Sequence, residues 1–172
     1  MELQKVLYSR KSVRTYTGEQ ISNENMNKII HAANVAPVGM GKYDSIHLTI
    51  VKDKDVLDEI EKLTAKAFKV DNRSFLYGAP ELVIVSTSAV DNVGYSNAAI
   101  IAHNMVLSAV DQGIGACYIW GCMMALQSDP ELIKKLGIPE GFTPTCAVGL
   151  GVTEEKYTVR NIKDDRISVN QI

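Results

Sequence analysis

Residues 95–112 impose the tightest restriction on what this chain can fold into. Ala98, Ala99, Ile100, Ile101, Ala102, Met105, Val106, Leu107, Ala109 and Val110 cover nearly the whole circumference of a helix of that length. A helix apolar all round has to be enclosed. Its cover comes from the rest of the chain or from another subunit, and its alanines allow a second helix to approach closely. A chain of 172 residues is most economically one domain, able to bury about two-thirds of the surface its unfolded form exposes. Hydrophobic residues at 46% and charged residues at 22% exclude a disordered or fibrous chain.

The remaining elements follow from periodicity. Leu3, Val6 and Leu7 fall at helical spacing. Ser22 is a candidate N-cap for a second helix, whose Met26, Ile29, Ile30 and Ala33 form an i, i+3, i+4, i+7 stripe closed by Pro37. Residues 46–51 alternate as a strand, and residues 53–66 return to helical spacing through Val56, Leu57, Ile60 and Leu63. After the turn Gly78-Ala79-Pro80, the run Leu82-Val83-Ile84-Val85 predicts a strand buried on both faces. Residues 116–121 predict another strand that stops at Gly121, Asp129-Pro130 opens a short helix, and residues 143–151 form the last strand. Residues 153–172 are polar and have no core of their own, so they are expected to lie on the surface or on a partner. No repeat or linker divides the chain, and this order predicts one layered domain of α/β or α+β class.

Charge is placed rather than general. The formal net charge is −2, which gives no basic excess for nucleic acid. Yet residues 1–14 hold Lys5, Arg10, Lys11 and Arg14 against Glu2 alone. Arginine offers a planar fork of donors suited to a phosphate or a heterocycle edge, and lysine a mobile point charge. The stretch Ser9-Arg10-Lys11-Ser12-Val13-Arg14 therefore calls for an anion, although cations at a helix end also complement the dipole there.

Several chemistries are not supported. The segment Gly113-Ile114-Gly115 follows a helix and does not lead into one, unlike a phosphate-binding glycine loop. His31, His47 and His103 fall in separate elements, so no metal site is expected. Cys117, Cys122 and Cys146 lie in apolar runs, are odd in number and lack a disulfide spacing. With no signal-peptide pattern at the N-terminus and no run of about eighteen apolar residues, a cytoplasmic, non-membrane protein is expected. Anion-binding arginines without an evident acid, base or nucleophile fit a binding module or an enzyme whose cofactor carries the chemistry.

The segment Ser9 to Arg14 lies about twenty residues before the helix that ends at Ala36-Pro37. Together with Gly78-Ala79-Pro80 and the run Gly113-Ile114-Gly115-Ala116-Cys117-Tyr118-Ile119-Trp120-Gly121, it resembles the nitroreductase family of FMN-dependent oxidoreductases across essentially the whole chain. The resemblance implies an α+β, three-layer fold with a central mixed sheet wrapped by helices. It also implies an intertwined homodimer with FMN at the interface, and a single unit over residues 1–172 whose tail packs on the partner subunit. Electrons would pass from NADH or NADPH to a small acceptor such as a nitroaromatic or quinone by a ping-pong mechanism. The same scaffold could instead serve dehalogenation, enoyl reduction or flavin breakdown, or a non-catalytic dimer could bind a nucleotide.

By the same resemblance, Arg10 with Arg160 or Lys156 neutralises the FMN phosphate, and Lys11 and Ser12 hold the ribityl chain or phosphate. Arg14 faces the pyrimidine edge of the ring, where a fixed cation stabilises the anionic reduced flavin. Asn72 bonds the pyrimidine end, and Ile119, Trp120 and Gly121 bring backbone N–H groups near the reactive nitrogen. Val38, Gly39 and Met40 reach the flavin from the partner. This loop lacks the Ser, Asn and Gln-Pro-Trp group of many relatives, which leaves it backbone contacts only.

Overall fold

The computed structural model describes residues 1–71, 73–163 and 165–172. Helix α1 (Leu3–Ser9) is followed by α2 (Asn23–Asn34), strand β1 (Ile46–Val51), α3 (Lys54–Phe68), β2 (Glu81–Thr87) and α4 (Asn92–Asp111). Strand β3 (Gly115–Ile119), α5 (Met123–Gln127), α6 (Pro130–Lys135) and β4 (Thr143–Gly151) complete the order. The caps are those expected: Ser22 accepts from the Asn25 amide and Asp129 from the Leu132 amide. Helix α4 starts three residues earlier than its apolar pattern, because Asp91 caps it by accepting from the Gly94 amide. Helix α5 was not foreseen in the sequence.

The four strands lie in the order β1-β2-β4-β3. Because side chains alternate between the faces of a strand, Val83 and Val85 pack against α1, α2 and α4, while Leu82 and Ile84 pack against α3, α5 and α6. The result is a helix–sheet–helix sandwich, and β2 is buried along its whole length. Each fully enclosed aliphatic side chain of that strand contributes about 1.5–3 kcal/mol.

Every pairing among the described residues is antiparallel, where a mixed sheet was implied. The cause is the form of the connections. Val51 at the end of β1 stands opposite Leu82 at the start of β2, so α3 and its following loop leave and re-enter at the same end of the sheet. The β3 to β4 excursion through α5 and α6 does likewise, with Ile119 paired to Ala147. A parallel neighbour needs a crossover that returns to the opposite end.

Enclosure of α4 is incomplete within one chain. Its Ala98, Ala102, Met105 and Ala109 are fully buried, yet Ile100 is 40% exposed, and Leu3 on the adjacent α1 is 68% exposed. No helix among the described residues is long and apolar enough to cross a membrane.

Among the described residues, one ion pair has a fully buried member. Glu81 is completely buried at the start of β2, and Lys52 Nζ stands 2.9 Å from its Oε1. The geometry is off-line for a hydrogen bond, so the pair holds by charge. Removing one partner of such a pair strands the other without compensation. Lys52→Ala is therefore expected to lower unfolding free energy by about 3 kcal/mol in urea denaturation, and Glu81→Gln in that background to recover part of it. A Lys52→Ala midpoint equal to wild type would show that Glu81 needs no counter-charge.

Candidate active site

Helix α1 stops at Ser9 because Arg10 turns extended, with φ −55° and ψ 122°, while its amide still donates to the Val6 carbonyl. The next residues run as a ribbon along β3 and the end of β4. Val13 is wholly buried and donates to the Ala116 carbonyl at 2.9 Å, Thr17 donates to Val152 at 3.0 Å, and Val152 donates back to Glu19 at 3.0 Å. The ribbon can lie this close because Gly151 has no side chain: a Cβ there would stand 2.9 Å from the Tyr16 ring and 2.5 Å from Pro80 Cδ. Burial of Val13 fixes the two faces of the ribbon, so its neighbours Ser12 and Arg14 project away from the core.

The basic residues are thereby separated. The Arg14 guanidinium sits over the Tyr77 ring, 5.1 Å from its centroid. Its pKa is raised above the usual arginine value, chiefly by the Tyr77 side chain. Lys11 is ion-paired to Glu155 at 2.6 Å, and Glu155 also accepts from the Arg14 amide, so the tail buttresses the ribbon. The Lys11 ammonium in turn holds the Glu155 carboxyl below the usual range. Ser12 faces the Cys117 thiol. Arg10 lies near His103 of α4, whose pKa is lowered by burial and then by the Arg10 charge.

The two tail cations part company. Arg160 donates from Nε and from its backbone N–H to the Tyr8 carbonyl, at 3.1 and 3.2 Å, beside the end of α1 and the Arg10 stretch. Lys156 instead lines an open hollow with Met1, Asp111 and Gly113. Of the two candidates, Arg160 is the one at the basic stretch.

At the Arg14 end lies a cleft of about 310 Å³, lined by Phe68, Arg73, Phe75, Tyr77, Tyr118 and Trp120, with Ile119 and Gly121 at its base. It opens along β3, which is an edge strand, and Trp120 is 55% exposed there. Phe68 and Phe75 stack with centroids 5.0 Å apart, and the Arg73 guanidinium lies 5.4 Å from the Phe75 centroid. Tyr77 carries the cleft wall and the Arg14 platform at once, held at φ +57° just before Gly78. A positive φ on a bulky residue costs energy and persists where surrounding structure enforces it.

The loop in question is held from α3. Glu61 accepts from Ser74 Oγ at 2.5 Å and from the backbone amides of Phe75 and Leu76, both at 2.8 Å. The sequence reading took α3 as packing only and missed Glu61, Phe68, Arg73, Phe75 and Tyr77. Tyr77 had a signal, since it directly precedes the recognised Gly78-Ala79-Pro80 turn; the others are brought together only by tertiary structure.

The remaining expected residues stand elsewhere. Val38 is buried, Gly39 donates from its amide to Asn97 Oδ1 at 3.1 Å, and Met40 is 81% exposed with φ +56°. Gly39 lies close against α4, where a Cβ would meet Val93 Cγ1 at 3.0 Å. This loop packs on the first turns of α4, and among the described residues no hydrogen bond or ion pair links it to residues 9–14. Asn72 lies outside the described residues. Burial pushes the Cys146 thiol up to about 11 and Cys122 up to about 12, and it raises Cys117 despite the Arg14 charge nearby. All three thiols are thus held protonated, away from nucleophilic chemistry.

Loss of the Glu61 clamp is expected to free the cleft wall. Glu61→Ala removes three charge-assisted contacts; after allowance for partial exposure the cost is about 1.5–3 kcal/mol. Hydrogen exchange of the Phe75 and Leu76 amides should accelerate by ten-fold or more, on the order of the factor that 1.4 kcal/mol represents. Unchanged protection at these amides would mean that another contact holds the loop.

Comparison with known proteins identifies the family of the fold. Residues 7–152 match the model of the nitroreductase family. The crystal structure of a nitroreductase with bound FMN from Bacteroides fragilis superposes with a TM-score of 0.85 at 28% identity, covering 99% of this chain and 100% of that one. An Archaeoglobus fulgidus protein provisionally named NADH dehydrogenase/NAD(P)H nitroreductase is 26% identical over 99% of this chain and 96% of its own length. A Cr(VI) reductase from a Pseudomonas strain is 25% identical over 92% of this chain and 69% of its own. With the family match spanning most of its length, this chain belongs to the nitroreductase family.

Proposed function

We propose that this chain is an FMN-dependent oxidoreductase that takes hydride from NADH or NADPH and reduces a small acceptor, such as a nitroaromatic or a quinone, in alternating half-reactions. The observation that carries the reading is the separation of cations along one pinned ribbon. Arg10 and Arg160 stand at the end of α1, while Arg14 stands at an aromatic cleft. That layout suits a ligand with a phosphate at one end and a flat ring at the other. Bound FMN supplies the hydride and electron chemistry, for which the protein provides no separate nucleophile.

The residues of the chain then have distinct tasks. Arg10 and Arg160 offer planar donor forks to the phosphate. Ser12 offers a hydroxyl, and Lys11 a charge shared with Glu155. Arg14, backed by Tyr77, presents a fixed cation to the ring edge on which negative charge gathers during reduction. The end of β3 at Ile119, Trp120 and Gly121 borders the same cleft and offers backbone donors. Asn72, adjacent to Arg73 in the chain, is assigned to the pyrimidine end. Over the whole reaction, NAD(P)H gives up a hydride to become NAD(P)⁺, and the equivalent of that hydride together with one proton from solvent converts a quinone to its hydroquinone.

Residues 1–172 are read as one such unit in a homodimer. Val38, Gly39 and Met40 cannot serve the Arg10 to Arg14 ribbon of their own chain through any contact described above. A second copy would bring them to it while covering Leu3, Ile100 and the apolar residues of the tail. With three buried thiols held protonated, a reducing cytoplasmic setting fits the chain.

The absorbance spectrum of the purified protein tests the function. Flavin bands that bleach anaerobically with NAD(P)H and return on addition of a quinone are expected; a protein that stays colourless after incubation with FMN and desalting would overturn the reading. Arg10→Ala should weaken FMN binding by about ten- to a hundredfold through loss of a charge-assisted contact. Light scattering should give twice the chain mass, and a monomer at micromolar concentration would contradict the shared site.

A further inference from the structure

The peptide bond between Val13 and Arg14 is held by side chains at both of its polar groups. Its carbonyl, that of Val13, accepts from the Tyr16 hydroxyl at 3.0 Å, and its N–H, that of Arg14, donates to Glu155 Oε1 at 3.4 Å. The preceding N–H, of Val13, is tied to the Ala116 carbonyl on β3 at 2.9 Å. A peptide unit is planar, so contacts at its C=O and its N–H together restrain rotation about the bonds on either side. The direction in which Arg14 leaves the backbone is thereby set, and from there its guanidinium reaches the Tyr77 ring.

Tyr16 is the inner member of this clamp. Its hydroxyl also stands 3.3 Å from the Gly149 carbonyl of β4, so one group links the ribbon to the sheet. A phenol has one proton to donate, and Val13 is its nearer acceptor. Burial holds the Tyr16 pKa well above the usual tyrosine value, so the hydroxyl keeps its proton and remains a donor at any physiological pH. We infer that Tyr16 is a positioning residue, whose hydroxyl holds the Val13–Arg14 peptide and so keeps the Arg14 cation in place at the ring edge. Its effect on the flavin rests on the task proposed above for Arg14, whereas the clamp itself stands on the contacts of the ribbon.

Distance decides how much a cation contributes. At an effective dielectric constant of about 20, a unit cation drawn back from about 4 to about 5 Å of a unit negative charge favours that charge about fourfold less. Tyr16→Phe keeps the ring against Gly151 and removes the hydroxyl alone, so folding is expected to survive, and the thermal midpoint checks it. In the protein as purified, whatever its flavin content, the Val13 and Arg14 amides should exchange hydrogen about two- to tenfold faster in Tyr16→Phe, the range that one lost hydrogen bond represents. In the FMN-loaded protein the preference for reduced over oxidised FMN, read from the midpoint potential, should fall by about two- to fourfold, with oxidised FMN still bound through Arg10. Adding Tyr16→Phe to Arg14→Ala should move the potential no further, since the tyrosine acts through the arginine.

A tyrosine that only supports the fold would lower the thermal midpoint of Tyr16→Phe and leave the potential alone. That result, beside a lowered potential in Arg14→Ala, would overturn the assignment. Unchanged exchange of both amides, or a further fall of potential in the double variant, would overturn it as well. Failure of the Arg14 task looks different. A protein that takes up no FMN, or whose Arg14→Ala variant keeps the wild-type potential, yet whose Val13 and Arg14 amides exchange faster in Tyr16→Phe, retains the clamp and refutes the ring-edge role of Arg14.

Discussion

The hydrogen bond from Val13 to Ala116 is the contact on which the site depends. It joins a residue within the basic stretch to the edge strand β3, and with Val13 wholly buried the ribbon can neither slide nor rotate without exposing it. Slippage by one residue would bring Arg14 or Ser12 into the core and send Val13 to solvent, the same parity argument that fixes strand register. A buried valine thus determines where two arginines stand. The second support comes from the tail, in which Thr153 Oγ1 donates to the Thr15 carbonyl, Glu155 engages Lys11 and Arg14, and Arg160 reaches Tyr8. The described residues of the tail have no regular secondary structure, yet its polar residues complete the basic stretch.

Much of this was legible in the sequence because local rules and tertiary structure agree there. Strand β4 matches its predicted bounds, and α2 begins at its Ser22 cap, since in both cases pattern, cap and burial point the same way. Helix α5 was not legible. It is five residues long, has no side-chain cap at Cys122, and follows directly on the apolar run of β3, so its Met-Met-Ala-Leu carries no periodic signal of its own. The start of α4 was readable in Asp91 but hidden by the polar first turn. Antiparallel pairing throughout was not readable, because strand direction depends on how each connection returns to the sheet.

The site was legible in part. Charge and order identified Arg10 to Arg14, and the resemblance pointed to the strand end at Ile119, Trp120 and Gly121. What separates Arg10 from Arg14 in task is the burial of Val13 and the platform of Tyr77, and neither is visible in charge patterning. The aromatic cleft draws on residues from 68 to 120, brought together by the loop that Glu61 holds. Such a constellation has no spacing to read. The Val38 to Met40 loop shows the opposite case: the resemblance assigns it to the flavin, but Gly39 packs against Val93 and bonds Asn97 of its own chain.

The most direct test of the account is the midpoint potential of bound flavin in the wild type and in Arg14→Ala. If the pinned ribbon sets a cation against the edge of the ring, removing that cation destabilises the anionic reduced form, and the potential should fall while FMN stays bound through Arg10. An unchanged potential in a fully loaded Arg14→Ala protein would contradict it.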